Sequence, residues 1–98
     1  MATWTVYLAR CADDTLYCGI ARDVAERIAQ HDAGTGAKYT RRRGPRVVLL
    51  TRTCRSKSLA LRLEYAIKQL DRRAKQQLDP PRVERMVRAL QRAAARAS

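Results

Sequence analysis

The tightest constraint on the fold lies in residues 17–31, Tyr-Cys-Gly-Ile-Ala-Arg-Asp-Val-Ala-Glu-Arg-Ile-Ala-Gln-His. Leu16 to Ile20 reads as a short strand that runs directly into a helix. Asp23 followed by Glu26 has the spacing of a capping box, which predicts a helix from near Asp23 to near Gly34. Val24 and Ile28, four apart, face a core. Arg27 and His31, also four apart, share a second face of the same helix. The adjoining strand offers Tyr17. One strand and one helix therefore present a phenol, a guanidinium and an imidazole, the groups that handle a phosphodiester.

The preceding segment supplies the partner strand. From Thr3 to Arg10, Trp4, Val6 and Leu8 alternate with Thr5, Tyr7 and Ala9, which is the period of a strand. Cys11-Ala12-Asp13-Asp14-Thr15 carries turn chemistry and predicts a hairpin. Tyr7 and Tyr17 have the same parity, so they share a face if the loop has an odd number of residues or a bulge compensates. Gly19 falls on that face too and leaves room for a ligand backbone.

After the helix, residues 32–45 interleave Gly34 and Gly36 with Lys38, Tyr39, Arg41, Arg42 and Arg43, a loop suited to phosphate contacts. Val47 to Leu50 is a continuous apolar run after Pro45 and reads as a buried central strand. Ser56 or Ser58 can cap a helix running to about Leu70, with Leu59, Leu63, Ala66, Ile67 and Leu70 as its core stripe. Glu64 stands at the margin of that stripe with Lys68 one turn later, an i,i+4 pair. It is the single acidic residue between Asp32 and Asp71, and so the one available metal ligand in that half of the chain. Asp71 to Leu78 reads as a further helical turn, closed by Asp79-Pro80-Pro81. Val83, Met86, Val87 and Leu90 then recur at helical spacing among arginines 82, 85, 88, 92 and 96, giving a helix that docks at its start and frays after Leu90. The expected division is a domain over 1–79 and a basic helical extension over 80–98.

Composition narrows the partners. Among 98 residues Phe is absent and Trp occurs once, so the core rests on Leu, Ile, Val and Tyr. Lys and Arg number 21 against 9 Asp and Glu, a net charge of +12, which points to a polyanion, nucleic acid above all. Cys11, Cys18 and Cys54 are odd in number with no C-x-x-C pair, which argues against a disulfide framework and a structural zinc site. Cys18 reads as a small apolar strand residue rather than a catalytic thiol. No apolar run approaches membrane-spanning length, and the expectation is a cytoplasmic protein without membrane contact or an organic cofactor. Oligomeric state is not fixed by these residues.

Taken together, these residues resemble the GIY-YIG nuclease domain, and within it the small single-domain bacterial YhbQ-like (UPF0213) branch. Val6-Tyr7 stands where the first motif ends, and Tyr17-Cys18-Gly19 where the second falls. Arg27 and His31 match the arginine and histidine of the first helix. Gly34-x-Gly36-Ala37-Lys38-Tyr39-Thr40 matches a loop typical of the branch, and Glu64-Tyr65 followed by Lys68 matches the helix that carries the metal-binding glutamate. The likeness covers roughly residues 4–78. The first motif lacks its Gly-Ile, Cys18 replaces an isoleucine, and the asparagine that many active members carry after the glutamate has no counterpart. The resemblance implies an α/β (α+β) sandwich, a small three-stranded antiparallel sheet flanked by helices. That agrees with the β-β-α-β-α order read from the pattern.

The chemistry expected is metal-assisted phosphodiester hydrolysis, with DNA as first choice of substrate and structure-directed repair or recombination as its setting. Glu64 would hold Mg²⁺ or Mn²⁺ and Arg27 would neutralise charge on the phosphate. Tyr7 is the candidate general base, Tyr17 orients water or phosphate, and His31 is the second candidate base. Gly19, Lys38, Tyr39, Arg41, Arg42, Arg43 and Lys68 are the expected nucleic-acid contacts. The rival readings are a non-catalytic nucleic-acid-binding module that kept the fold, and an interaction domain recruited by a repair protein. The nuclease reading requires Glu64 to share a side of the molecule with Tyr7, Tyr17 and Arg27.

Overall fold

The computed structural model describes residues 3–32 and 45–97. Strand β1 (Trp4–Cys11) turns into β2 (Leu16–Ala21), followed by helix α1 (Val24–Asp32), strand β3 (Pro45–Cys54) and helices α2 (Lys57–Lys68), α3 (Arg72–Gln76) and α4 (Pro80–Ala97). The three strands form one antiparallel sheet in the order β2-β1-β3. This is the α+β arrangement that the resemblance implies, in the β-β-α-β-α order read from the pattern.

The hairpin has a three-residue loop. Asp14 N–H donates to the Cys11 carbonyl at 3.0 Å and Cys11 N–H to the Thr15 carbonyl at 2.8 Å. Asp14 takes a left-handed φ of 65°, which a short polar side chain tolerates. The odd loop keeps the parity: Tyr7 pairs with Gly19 and Ala9 with Tyr17, so both phenols lie on one sheet face.

The faces then divide the molecule. Val6, Leu8 and Cys18 point to one side and pack with Ala60, Leu63 and Ile67 of α2 and Val83 and Val87 of α4. Tyr7, Ala9 and Ala21 point to the other, against Val24 and Ile28 of α1. The helix starts are set by side chains. Asp23 accepts from Glu26 N–H at 3.0 Å, Ser56 from Leu59 N–H at 3.1 Å, Asp71 from Ala74 N–H at 2.8 Å and Asp79 from Arg82 N–H at 2.9 Å. Of the two serines offered for α2, Ser56 is the cap.

Strand β3 corrects one expectation. It is an edge strand and β1 is the centre, and Val47, Val48 and Leu49 are 40–45% exposed. An apolar run of four carries no alternation, so it could not say which strand would have neighbours on both sides. Two register shifts, after Leu8 and after Arg10, bend this end of β3 along β1. Helix α4 is anchored more firmly than a tail. Val83 and Val87 are each 1% exposed, Met86 and Leu90 pack partly against the core, and Glu84 forms an ion pair with Arg52 of β3. The helix continues to Ala97.

Candidate active site

The hairpin and α1 bring three of the expected groups together. The Tyr7 and Tyr17 rings are 6.0 Å apart and tilted by 43°. Tyr7 is 1% exposed, and among the described residues its hydroxyl has no hydrogen bond of regular geometry. Burial is the main force pushing its pKa well above the usual phenol value. Tyr17 adds to the rise, and the Arg27 guanidinium opposes it. Tyr7 therefore holds its proton at neutral pH in the free protein. Arg27, on the exposed face of α1, is within reach of that phenol.

Gly19 has a different use from the one expected. A Cβ there would stand 2.8 Å from the Tyr7 hydroxyl oxygen, 2.9 Å from its Cζ and 3.0 Å from Tyr17 Cε1. The room that glycine leaves is filled by the Tyr7 phenol, directly across the strand pair. Its missing side chain seats the ring rather than a ligand.

Glu64 comes from α2, which packs on the opposite sheet face from Tyr7 and Tyr17. It sits beside β2, an edge strand. Its carboxylate is near enough to Cys18, the residue after Tyr17, to raise that thiol's pKa, second in effect to burial. This corrects the expectation that Glu64 shares a side with Tyr7, Tyr17 and Arg27: its helix covers the other sheet face, and a path from the carboxylate to the phenols has to run round the edge of β2. The side chain is 19% exposed and pairs with Lys68 at 3.5 Å, the i,i+4 contact its spacing predicts. Such a solvent-screened pair contributes about 0–1 kcal/mol and leaves the carboxylate free to exchange partners. Among the described residues no group of three or more His, Cys, Asp or Glu stands together. A single carboxylate suits a hard cation that keeps most of its waters and takes further oxygens from substrate phosphate, so Glu64 fits Mg²⁺ in that form. The His31 side chain and residues Lys38, Tyr39, Arg41, Arg42 and Arg43 lie outside the described residues.

Cys18 itself is buried in the main core, and its pKa is pushed up to about 12 from 9. Between those values the unfolded chain gives up the thiol proton and the folded chain keeps it. Stability should therefore fall as pH rises above 9, by up to about 1.4 kcal/mol per pH unit from this group. Thermal melts of wild type and Cys18→Val from pH 8 to 10.5 check this: the wild-type Tm should drop more steeply, and parallel curves would remove the effect.

Pattern reading overlooked a cavity of about 410 Å³ at the end of the sheet where β1 begins and β2 ends. Trp4, Arg22, Arg27 and Lys57 line it, with Asp23 and Glu26. Trp4 reads from its alternation as one more core residue. Only the register, which pairs Thr5 with Ala21 and so brings Trp4 beside Arg22, reveals its second role.

The comparisons with known proteins identify the family. The profile of the GIY-YIG catalytic domain matches residues 3–77. The UPF0213 protein of Cronobacter sakazakii is 50% identical over 78 residues, 80% of this chain and 82% of the relative. The UPF0213 protein YhbQ of Salmonella arizonae is 47% identical over 78 residues, 80% and 78% of the two chains. The solution NMR structure of UPF0213 protein BH0048 from Bacillus halodurans shares 45% identity with a TM-score of 0.50, covering 76% of this chain and 80% of that one. A match that spans the hairpin, β3 and α2 alike, and not the tyrosine motifs alone, means that this chain belongs to the GIY-YIG family, in the company of the UPF0213 proteins.

Proposed function

We propose that the chain is an endonuclease that hydrolyses nucleic-acid phosphodiesters, DNA in the first place, with the aid of a divalent cation held by Glu64. The observation that carries this reading is the buried Tyr7 hydroxyl, without a hydrogen bond of regular geometry among the described residues, beside a second phenol and an exposed guanidinium. A hydroxyl left without a bond costs about 1–3 kcal/mol, and a functional site is where such a cost is kept.

In this account Arg27 pairs with the scissile phosphate and neutralises the charge that builds on its oxygens. Tyr17 orients the phosphate or the attacking water, and Tyr7, its own proton first released to solvent under the positive charge gathered at the site, accepts the water's proton as a phenolate. A bound divalent cation supplies Lewis-acid charge for the phosphoryl oxygen and the leaving 3′ oxygen. Glu64 holds that charge in place and Lys68 is released to the backbone. Lys38, Tyr39 and the arginines at 41–43 extend the phosphate contacts, and DNA repair or recombination is the setting such a small basic nuclease suits. The protein's net charge of +12 supports the polyanion. No helix among the described residues is long and apolar enough to cross a membrane.

One observation favours a second reading, a nucleic-acid-binding module with little or no activity. Burial makes Tyr7 a reluctant base, and only added positive charge at the site would draw its proton off. Tyr7→Phe separates the two. The variant should be as stable as wild type or more so, by up to about 1 kcal/mol, because a buried hydroxyl without a regular hydrogen bond among the described residues is gone. Nicking should fall about 100-fold. The pH dependence identifies the base: a rate that climbs tenfold per pH unit from 7 through 9 assigns Tyr7, and a plateau beginning near 6.5 assigns His31. Unchanged nicking by Tyr7→Phe would remove the tyrosine from the mechanism.

A further inference from the structure

We propose that the cavity under Trp4 is a binding subsite for an unpaired nucleotide next to the scissile phosphate, an inference that rests on the endonuclease reading. The Lys57 ammonium stands 4.9 Å from the Trp4 ring centroid and the Arg22 guanidinium 5.5 Å. Two cations are thus drawn to one indole, and both line the cavity, where an entering anion can be met by either. The indole is only partly buried, so a planar ring can displace a cation from it and release that cation to a phosphate.

The lining selects the class of ligand. Arg22, Arg27 and Lys57 bring three positive charges, and Asp23 and Glu26 bring two negative ones. A net charge of +1 makes a poor trap for a bare phosphate. A nucleotide fits better: its phosphate meets the cations, its base covers the indole, and its amino and imino N–H groups face the carboxylates. The base must be unpaired, because a base inside a duplex has no free face to offer. Arg27 fixes the register. It lines the cavity and also acts on Tyr7, so the nucleotide in the cavity is the neighbour of the phosphate at the phenols. The substrate this predicts is single-stranded at the cleavage point, or opened there.

Trp4 is the chain's single tryptophan, so its fluorescence reports on this site directly. Wild-type protein in EDTA and low salt is titrated with a dye-labelled deoxyoligonucleotide of about 8 nucleotides, reading tryptophan emission and dye anisotropy together. An abasic strand of equal length and a blunt duplex are titrated in parallel. Quenching should saturate with the anisotropy for the single strand. The abasic strand should bind about 10-fold more weakly without quenching, and the duplex should bind without quenching. Arg22→Gln with Lys57→Gln should shift both single-strand curves to higher concentration together. Single-strand binding with unchanged tryptophan emission would overturn the subsite and leave the endonuclease reading standing. Equal quenching by the abasic strand would overturn it too, by showing that phosphate alone acts on the ring. No binding of any strand at low salt would remove the subsite and the nucleic-acid reading with it.

Discussion

Val87→Asp should abolish cooperative folding. Val87 is 1% exposed and belongs to the same cluster as Leu63, Ile67, Cys54 and Val83, between α4, α2 and the sheet. A carboxylate there loses its water and finds no cation, and the cost is several kcal/mol even after the group takes up a proton. Total stability for a domain of this size is about 5–15 kcal/mol, and a core without Phe starts from the low end. The expected melt has no sigmoidal transition, with exposed hydrophobic surface that binds dye. Arg92→Gln, on the exposed outer part of the same helix, should leave the Tm within a few degrees. The comparison matters because α4 begins beyond residue 77, where the family match ends. A Val87→Asp protein that melts like wild type would mean that α4 is dispensable to the core.

Local signals in the residues were enough for the elements and not for their arrangement. Asp23 marked the start of α1, and Ser56 or Ser58 that of α2, because such a cap is a contact between residues three apart. Asp71 and Asp79 cap α3 and α4 in the same way, but Asp79-Pro80-Pro81 read only as the close of a turn. Parity, given an odd turn, put Tyr7 and Tyr17 on one face. Strand order was not legible in Val47 to Leu50, since an uninterrupted apolar run looks alike at the centre and the edge of a small sheet. Gly19 could be seen as a place where something comes close, but not that the visitor is the cross-strand phenol. Glu64 could be assigned to the margin of a helix stripe. That its helix covers the sheet face away from the tyrosines, at the β2 edge, is a fact of tertiary packing. The Trp4 cavity was the hardest to foresee, because its walls come from three stretches that meet only after the hairpin closes.

That edge position makes Glu64 the residue on which the account turns. If the carboxylate reaches round β2 to the phosphate held by Arg27, Glu64→Ala removes the cation and with it the charge stabilisation of the leaving oxygen. A loss of about 100- to 1,000-fold follows from removing one such electrostatic contact. Folding should be little affected, because the carboxylate's described ion pair is the screened contact with Lys68. Nucleic-acid affinity should stay within a few-fold, since the cationic surface that binds phosphate is intact and one negative charge has gone.

The most direct measurement is nicking of supercoiled plasmid, and cleavage of single-stranded and branched DNA, by wild type and Glu64→Ala side by side in Mg²⁺ or Mn²⁺. Binding of the same substrates is measured in parallel. The account predicts metal-dependent nicking by wild type that falls at least about 100-fold in the variant while both proteins bind alike. Binding by both with cleavage by neither, or equal cleavage by both, would contradict it.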